Sequence, residues 1–310
     1  MKASPVLPLL ATGAASTRKN YLSWARLEPT ESDPENYYWE LYDEELAAAG
    51  SAGLRTILVV ADSPAWAAPT SCGPIAAESL PAFGDFLFAL VSRYARDPYR
   101  IKDYELFNEP DGTEPWYGAT INCWGRHGDR YAEMLRTAYP AIKSADPESR
   151  VILGGLACDW FTDEGGIFQR EFLADVLAHG GGGYFDVLNF HYYYFHIDTW
   201  APYGRDVIGK VNYLGGVLAS GGTSKPMICT EVGIWGYDGP EPLDLQASYV
   251  PRVNVRGLAA GLETVLWYPL VDGFTPFHGG LVEEWGSLKP AFSAYTTLVA
   301  ELDGYIYGWT

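Results

Sequence analysis

The chain alternates short runs of consecutive apolar residues with longer stretches in which apolar residues recur every three or four positions. The first pattern reads as strands buried on both faces, the second as amphipathic helices. Strands are predicted over 17–24, 56–60, 104–107, 151–153, 187–190, 227–230 and 265–268. Helices are predicted after them, over 42–49, 80–94, 129–144, 168–178, 207–219, 247–262 and 290–301. Strand–helix alternation builds a parallel sheet with right-handed crossovers. Seven or eight such units favour closure, so the expected fold class is α/β, a (β/α)8 TIM-type barrel. A Gly-x-Gly-x-x-Gly after the first strand is absent, which argues against an open dinucleotide-binding sheet. One strand is short of the eight a barrel needs. Residues 4–13 read as the end of a helix leading into the strand at 17, so the first strand is either lacking or replaced by another segment. No linker or low-complexity stretch divides the sequence, and residues 1–310 are expected to form a single catalytic domain.

Composition narrows the function classes. Of 310 residues, 48% are hydrophobic and 19% charged, which excludes a disordered or fibrous chain. A net charge of −18 argues against nucleic acid and anionic membranes as partners, since phosphates would be repelled. No apolar run reaches 18 residues, so no membrane span is expected. Residues 1–10 carry two prolines and one basic residue, and read as part of the fold rather than a clear signal peptide. Aromatic residues make up 15% of the chain, including 11 Trp and 22 Tyr, an ample supply of flat faces for an uncharged ligand. Four cysteines are too few for a disulfide scaffold, and none are spaced as Cys-x-x-Cys. Cys158 and Cys229 lie in apolar runs and are expected to be buried thiols. Cys72 and Cys123 lie in Gly/Pro-containing loops and are candidates for one bridge.

In a parallel barrel, reactive side chains sit at the C-terminal ends of strands. Two carboxylates take that position directly after apolar runs: Glu109 in Leu106-Phe107-Asn108-Glu109-Pro110-Asp111, and Glu231 in Ile228-Cys229-Thr230-Glu231-Val232-Gly233. A carboxylate placed there is costly unless paired or used. Counting the lacking strand as the first, the two fall on strands four and seven, which face one another across the mouth of an eight-stranded ring. Opposed carboxylates match the apparatus of glycoside hydrolysis, and a pair about 5–5.5 Å apart implies the retaining route. No metal site is expected, because His127, His179, His196 and His278 are scattered over different loops.

Asn108-Glu109-Pro110 together with Thr230-Glu231 resembles the clan A retaining glycoside hydrolases. The segments Trp24-Ala25-Arg26-Leu27-Glu28-Pro29, Leu54-Arg55-Thr56-Ile57-Leu58 and Pro64-Ala65-Trp66-Ala67 are most similar to family 39 and to related endoglycosidases acting on bacterial exopolysaccharide. The resemblance implies Glu109 as general acid/base and Glu231 as nucleophile. It also implies substrate-site roles for Arg18, Asn108, His191, Tyr193 and Trp267: Arg18 supporting the nucleophile, His191 and Tyr193 around it, and Trp267 flooring the subsite for the cleaved sugar. A nucleophile must be ionised, which nearby donors favour, whereas the acid must hold its proton near neutral pH. Asn108 is suited to bind the sugar 2-hydroxyl, or simply to cap its turn. Trp66, Trp116, Trp124, Trp160, Trp200, Trp235 and Trp285 all fall in or near loops after strands; any one could be core, but together they favour a sugar-stacking cleft. Trp66, Trp116 and Trp235 are carried forward as substrate-binding candidates.

The function expected is therefore hydrolysis of a β-linked glycoside or polysaccharide through a covalent glycosyl-enzyme intermediate, without cofactor. A transglycosylase, which shares that intermediate, and a catalytically silent carbohydrate-binding barrel are the alternatives. The partner expected is an oligo- or polysaccharide, which favours a secreted or cell-envelope location. Sugar identity, endo or exo action and oligomeric state are not legible in the sequence.

Overall fold

In a computed structural model of the chain, the described residues are 6–31, 36–113, 123–234, 242–273 and 278–302. Seven strands are present among them: β1 (Ser16–Ser23), β2 (Arg55–Ala61), β3 (Asp103–Asn108), β4 (Arg150–Leu156), β5 (Val187–Tyr193), β6 (Met227–Gly233) and β7 (Val265–Trp267). The helices are α1 (Val6–Ala11), α2 (Trp24–Leu27), α3 (Glu40–Ser51), α4 (Leu80–Tyr94), α5 (Gly128–Ala145), α6 (Phe172–Ala178), α7 (Ile197–Trp200), α8 (Val207–Ser220), α9 (Leu243–Ala259) and α10 (Pro290–Leu302). None is long and apolar enough to cross a membrane.

Two helices start elsewhere than the periodicity predicts. α6 begins at Phe172 rather than 168, because Phe168 is taken into isolated bridges with Gly112 and Phe161. α9 begins at Leu243, behind the extended Pro242, and stops at Ala259, two residues before Gly261 adopts a φ of +87°. A left-handed glycine just past the last turn is a common helix stop.

The chain divides into two compact units. One comprises residues 16–190 and 215–225, the other residues 1–15, 191–214 and 226–310. In the first, β1 to β5 follow one another in chain order, and their pairings are parallel. Leu58, Val59, Val60, Leu106, Ile152 and Leu153 from these strands are fully buried, as are Phe86, Leu87 and Leu90 of α4 and Tyr131, Leu135 and Ala138 of α5. Burying one such large side chain contributes about 1.5–3 kcal/mol, which is why runs apolar on both faces settle here. At the N-terminal strand ends, the buried Asp103 accepts from Arg55 (2.6 Å) and Arg150 (2.7 Å), tying β2, β3 and β4 at the end away from any chemistry.

In the second unit the order continues through the end of β5 to β6 and β7, with β6 and β7 parallel. Ile228, Cys229, Val232, Tyr249, Val250 and Val253 form its buried centre. Gln246 of α9 donates to the carbonyls of Gly279 (2.9 Å) and Gly280 (3.2 Å), which pins the loop after β7. The same loop is closed by the buried pair Lys289–Asp272 at 2.6 Å.

Candidate active site

Unusual backbone marks the C-terminal strand ends of the first unit. Tyr21, Asp62, Phe107, Glu109, Cys158 and Trp160 all have positive φ, and none is glycine. Non-glycine residues in this region are strained and cluster where function holds them. On β3 the effect is geometric. Leu106 pairs with Leu153 and Asn108 with Gly155, but Phe107, at φ +65°, pairs with neither. Regular alternation would put residues 105 and 108 on opposite faces. The twist at Phe107 turns both toward one partner, Arg18 of β1. Its Nε and Nη2 donate to Glu105 Oε2 (2.8 Å) and Oε1 (2.7 Å), and Nη2 also donates to Asn108 Oδ1 at 2.6 Å. Gly154 permits this close packing: a Cβ there would lie 2.4 Å from the Leu106 carbonyl oxygen.

Glu109 follows at φ +45° and is partly exposed. Its N–H donates to Gly155 O and its carbonyl accepts from Gly112 N, both at 2.9 Å, so the backbone under the carboxylate is fixed. Asp111, 1% exposed, accepts N–H bonds from Ala157 (3.1 Å) and Cys158 (2.7 Å) and so joins the loop after β3 to the loop after β4. Its carboxyl is pushed up to about 7, chiefly because burial strips its water; the Cys158 and Ala157 amides oppose the rise, and the negative charges of Glu109 and Asp159 add to it.

The second unit carries the other carboxylate. Glu231 lies on β6 and is 7% exposed. Tyr193 at the end of β5 donates its phenol to Glu231 Oε2 at 2.5 Å. His191, fully buried on the same strand, places Nδ1 3.7 Å from that oxygen. A phenol donating to a carboxylate makes a short, charge-assisted bond that fixes the carboxylate's orientation. Trp267 closes β7 with 9% exposure, its indole N–H donating to Gly279 O at 2.9 Å, the carbonyl that Gln246 also holds. Behind it Tyr249 approaches ring to ring at 6.4 Å and donates to Asp206, a buried carboxylate paired with Arg256.

Within the first unit, then, Arg18 meets Asn108; within the second, Tyr193 and His191 meet Glu231. Trp66 lies after β2, half-buried, with its indole N–H on the Glu28 carbonyl at 3.1 Å and its ring against Trp24. Trp116 and Trp235 fall outside the described residues. Trp124 and Trp200 are each 1% exposed and belong to the core rather than a cleft. Trp124 packs on Phe107 and Tyr131, and Trp200 on Tyr213. Trp160 and Trp285 are exposed. A disulfide joins Cys72 and Cys123, with Cα atoms 4.8 Å apart, while Cys158 and Cys229 are buried and outside any disulfide. Cys158 lies past the end of β4, at φ +46°, rather than within a strand. Glu105 and Asp111 are the polar residues that sequence reasoning missed. The available signal was an acidic residue inside the buried run of β3, and another immediately after Glu109-Pro110.

The model of the cellulase family, glycosyl hydrolase family 5, matches residues 18–193, from the Arg18 position to Tyr193. The chain belongs to that family. Solved structures of similar fold include a family 39 glycoside hydrolase from Bacteroides cellulosilyticus WH2, with a TM-score of 0.73 and 21% identity over 98% of this chain and 61% of that one. A family 39 β-xylosidase from Caulobacter crescentus gives a TM-score of 0.68 and 19% identity, covering 96% of this chain and 68% of that one. A GH5_18 protein from Streptomyces cattleya, solved with GlcNAc, gives a TM-score of 0.69 and 15% identity, covering 98% of this chain and 75% of that one. Curated proteins return no match. The chain spans about three fifths of the length of the first two solved structures it matches. The fold is the TIM-barrel fold of the clan A glycoside hydrolases, as the alternation of strands and helices predicts.

Proposed function

We propose that this family 5 member is a retaining glycosidase acting on a β-linked glycoside or polysaccharide, its residues 1–310 working as one catalytic domain, with Glu231 as nucleophile and Glu109 as general acid/base. The observation that carries the reading is the buried Glu231 carboxylate at the end of β6, held by the Tyr193 phenol. Glu109, directly after β3, follows Asn108 and has its backbone locked.

In the first step Glu231 attacks the anomeric carbon. The Tyr193 phenol holds the attacking carboxylate in place through Oε2. As the glycosidic bond breaks, Glu109 gives its proton to the departing oxygen, leaving a glycosyl ester on Glu231 and a carboxylate on Glu109. In the second step that carboxylate takes a proton from water, the water oxygen attacks the same carbon, and the ester bond returns its electron pair to Glu231. Two inversions leave the β configuration in the product. Arg18 fixes the Asn108 amide through its carbonyl, so the Asn108 NH2 is oriented for the sugar 2-hydroxyl, a contact that strengthens in the transition state. No residue in this scheme calls for a cofactor.

The test is the anomeric form of the first product, followed by proton NMR during hydrolysis of aryl β-glycosides. Retention with loss of turnover in Glu231→Ala supports the scheme, and an α product refutes it. Transfer products outweighing hydrolysis would instead indicate a transglycosylase, and binding without turnover a silent carbohydrate-binding barrel.

A further inference from the structure

Among the described residues of the loop after β4, Asp159 and Phe161 are buried whereas Trp160 between them is 41% exposed. A lone exposed aromatic needs no explanation by itself. This one is held. Its own φ is +37° and that of Cys158, two residues earlier, is +46°, so the backbone is strained on the way out to the ring. The Trp160 carbonyl accepts from Ile167 N (3.1 Å) and Phe168 N (3.4 Å). Gly166 lies flat against it: a Cβ there would fall 1.7 Å from the Trp160 carbonyl oxygen and 2.6 Å from its ring Cγ. The exposed Trp285, by contrast, sits on a turn closed by Glu283 N to Ser287 O, with no such restraint from a second loop among the described residues.

The loop is also fastened to the one that bears Glu109. Asp111 takes the amides of Ala157 and Cys158. Gln169 N donates to Asp111 O at 2.9 Å, Thr113 N and Oγ1 both donate to Ile167 O, and Gly112 bridges Phe168. From Cys158, whose amide Asp111 holds, Trp160 is at most about 7 Å of chain away. Strain accepted around an outward ring, at a fixed reach from the residue assigned as acid, suits a preorganised platform.

The charges nearby define what the platform takes. Arg170 is already engaged by Asp163 (3.2 Å) and Glu164 (2.7 Å), and its guanidinium lies 3.8 Å from the Phe161 ring centre. With that cation neutralised, and Asp159, Asp163 and Glu164 alongside, a uronate or sulfated sugar would meet net negative charge. An uncharged pyranose laying its C–H face on the indole meets none. General acid chemistry acts on the leaving-group oxygen, and the platform is fastened to the acid's own loop. We infer that Trp160 is a stacking subsite for a neutral sugar unit on the leaving-group side of the scissile bond. The inference rests on the roles proposed for Glu109 and Glu231.

The test compares Trp160→Ala and Trp160→Phe with the wild type on two substrates. One is a β-monoglycosyl fluoride that the wild type turns over, whose leaving group has no face to lay on the indole, and the other is a neutral oligosaccharide of the same sugar. Calorimetric titration with the oligosaccharide is run in parallel. Expected is a roughly tenfold fall in kcat/KM on the oligosaccharide for Trp160→Ala, carried by KM, with the glycosyl fluoride within twofold and Trp160→Phe in between. Equal losses on both substrates, or none on either, would overturn the subsite. A loss on oligosaccharyl fluorides, whose sugars all lie on the other side of the bond, that matches the loss on free oligosaccharides would move the ring to that side and also overturn it. If the wild type hydrolyses neither substrate, the glycosidase reading fails by itself. The subsite then stands on tenfold weaker oligosaccharide binding by Trp160→Ala and falls if binding is unchanged.

Discussion

Removing Glu105 is the sharpest probe of how the strand-end cluster is held. The side chains of Arg18 and Glu105 are 4% and 0% exposed and meet in a two-point pair. Breaking a buried pair by deleting one partner costs about 3–5 kcal/mol, because the other charge stays buried. Glu105→Leu also takes the acceptor from Gly155 N, now bonded to Oε1 at 2.8 Å, which places the loss near the upper end of that range. Unfolding entropy of about 2.1 cal/mol/K per residue gives about 0.65 kcal/mol/K for this chain, so a loss of about 4 kcal/mol lowers the midpoint by about 6 °C. Thermal unfolding of Glu105→Leu, Arg18→Met and the double variant measures it. The double variant should recover most of the loss, since an apolar pair of similar volume removes both charges. A fall of less than about 2 °C in Glu105→Leu, or a double variant as unstable as the two losses added, would refute the buried-pair reasoning.

Asp111 makes stability depend on pH. Its folded value of about 7 lies above the ordinary 3.8, so the folded chain holds this proton more tightly than the unfolded one. The associated stability is complete below the unfolded value and is lost as pH rises through the folded one, up to about 4 kcal/mol. Urea unfolding should show that slope between about pH 4 and 7 and lose it in Asp111→Asn; an unaltered profile would show that this carboxyl is not the source. Tyr193→Phe deletes the donor to Glu231 Oε2, and a hydrogen bond to a charged group is worth about 1.5–3 kcal/mol, so kcat should fall roughly 10–100-fold. Unchanged turnover would remove Tyr193 from the site. The Cys72–Cys123 disulfide spans 51 residues, and loop-closure entropy assigns about 4 kcal/mol to it. Cys72→Ser should therefore unfold at markedly lower urea, and an equal midpoint with reductant present and absent would contradict a formed bridge.

Much of the fold was legible because parallel strands buried on both faces leave uninterrupted apolar runs, and β2 to β6 were found at nearly their observed places. Starts of α6 and α9 were not, since they are decided by a bridge at Phe168 and by the extended Pro242, neither of which perturbs apolar periodicity. In the candidate site, Glu109 and Glu231 stood out as charges directly after apolar runs. Glu105 did not, because reading β3 as strictly alternating hides the turn at Phe107 that brings residues 105 and 108 to one arginine. Asp111 was hidden for a similar reason: its partners are backbone amides of the loop after β4, and main-chain donors have no signature in sequence. Trp124 and Trp200 show the converse, since an aromatic in a strand-end loop is as readily core as platform.

The division of labour between Glu231 and Glu109 is tested most directly by azide rescue, on an aryl β-glycoside that the wild type hydrolyses. With Glu231 shortened to glycine, azide can enter from the face the carboxylate vacated and should give the α-glycosyl azide. With Glu109→Ala, azide should intercept the ester on Glu231 and give the β-glycosyl azide. Opposite anomers from the two variants are the predicted result; the same anomer from both, or wild-type rates in either variant without azide, would contradict the assignment.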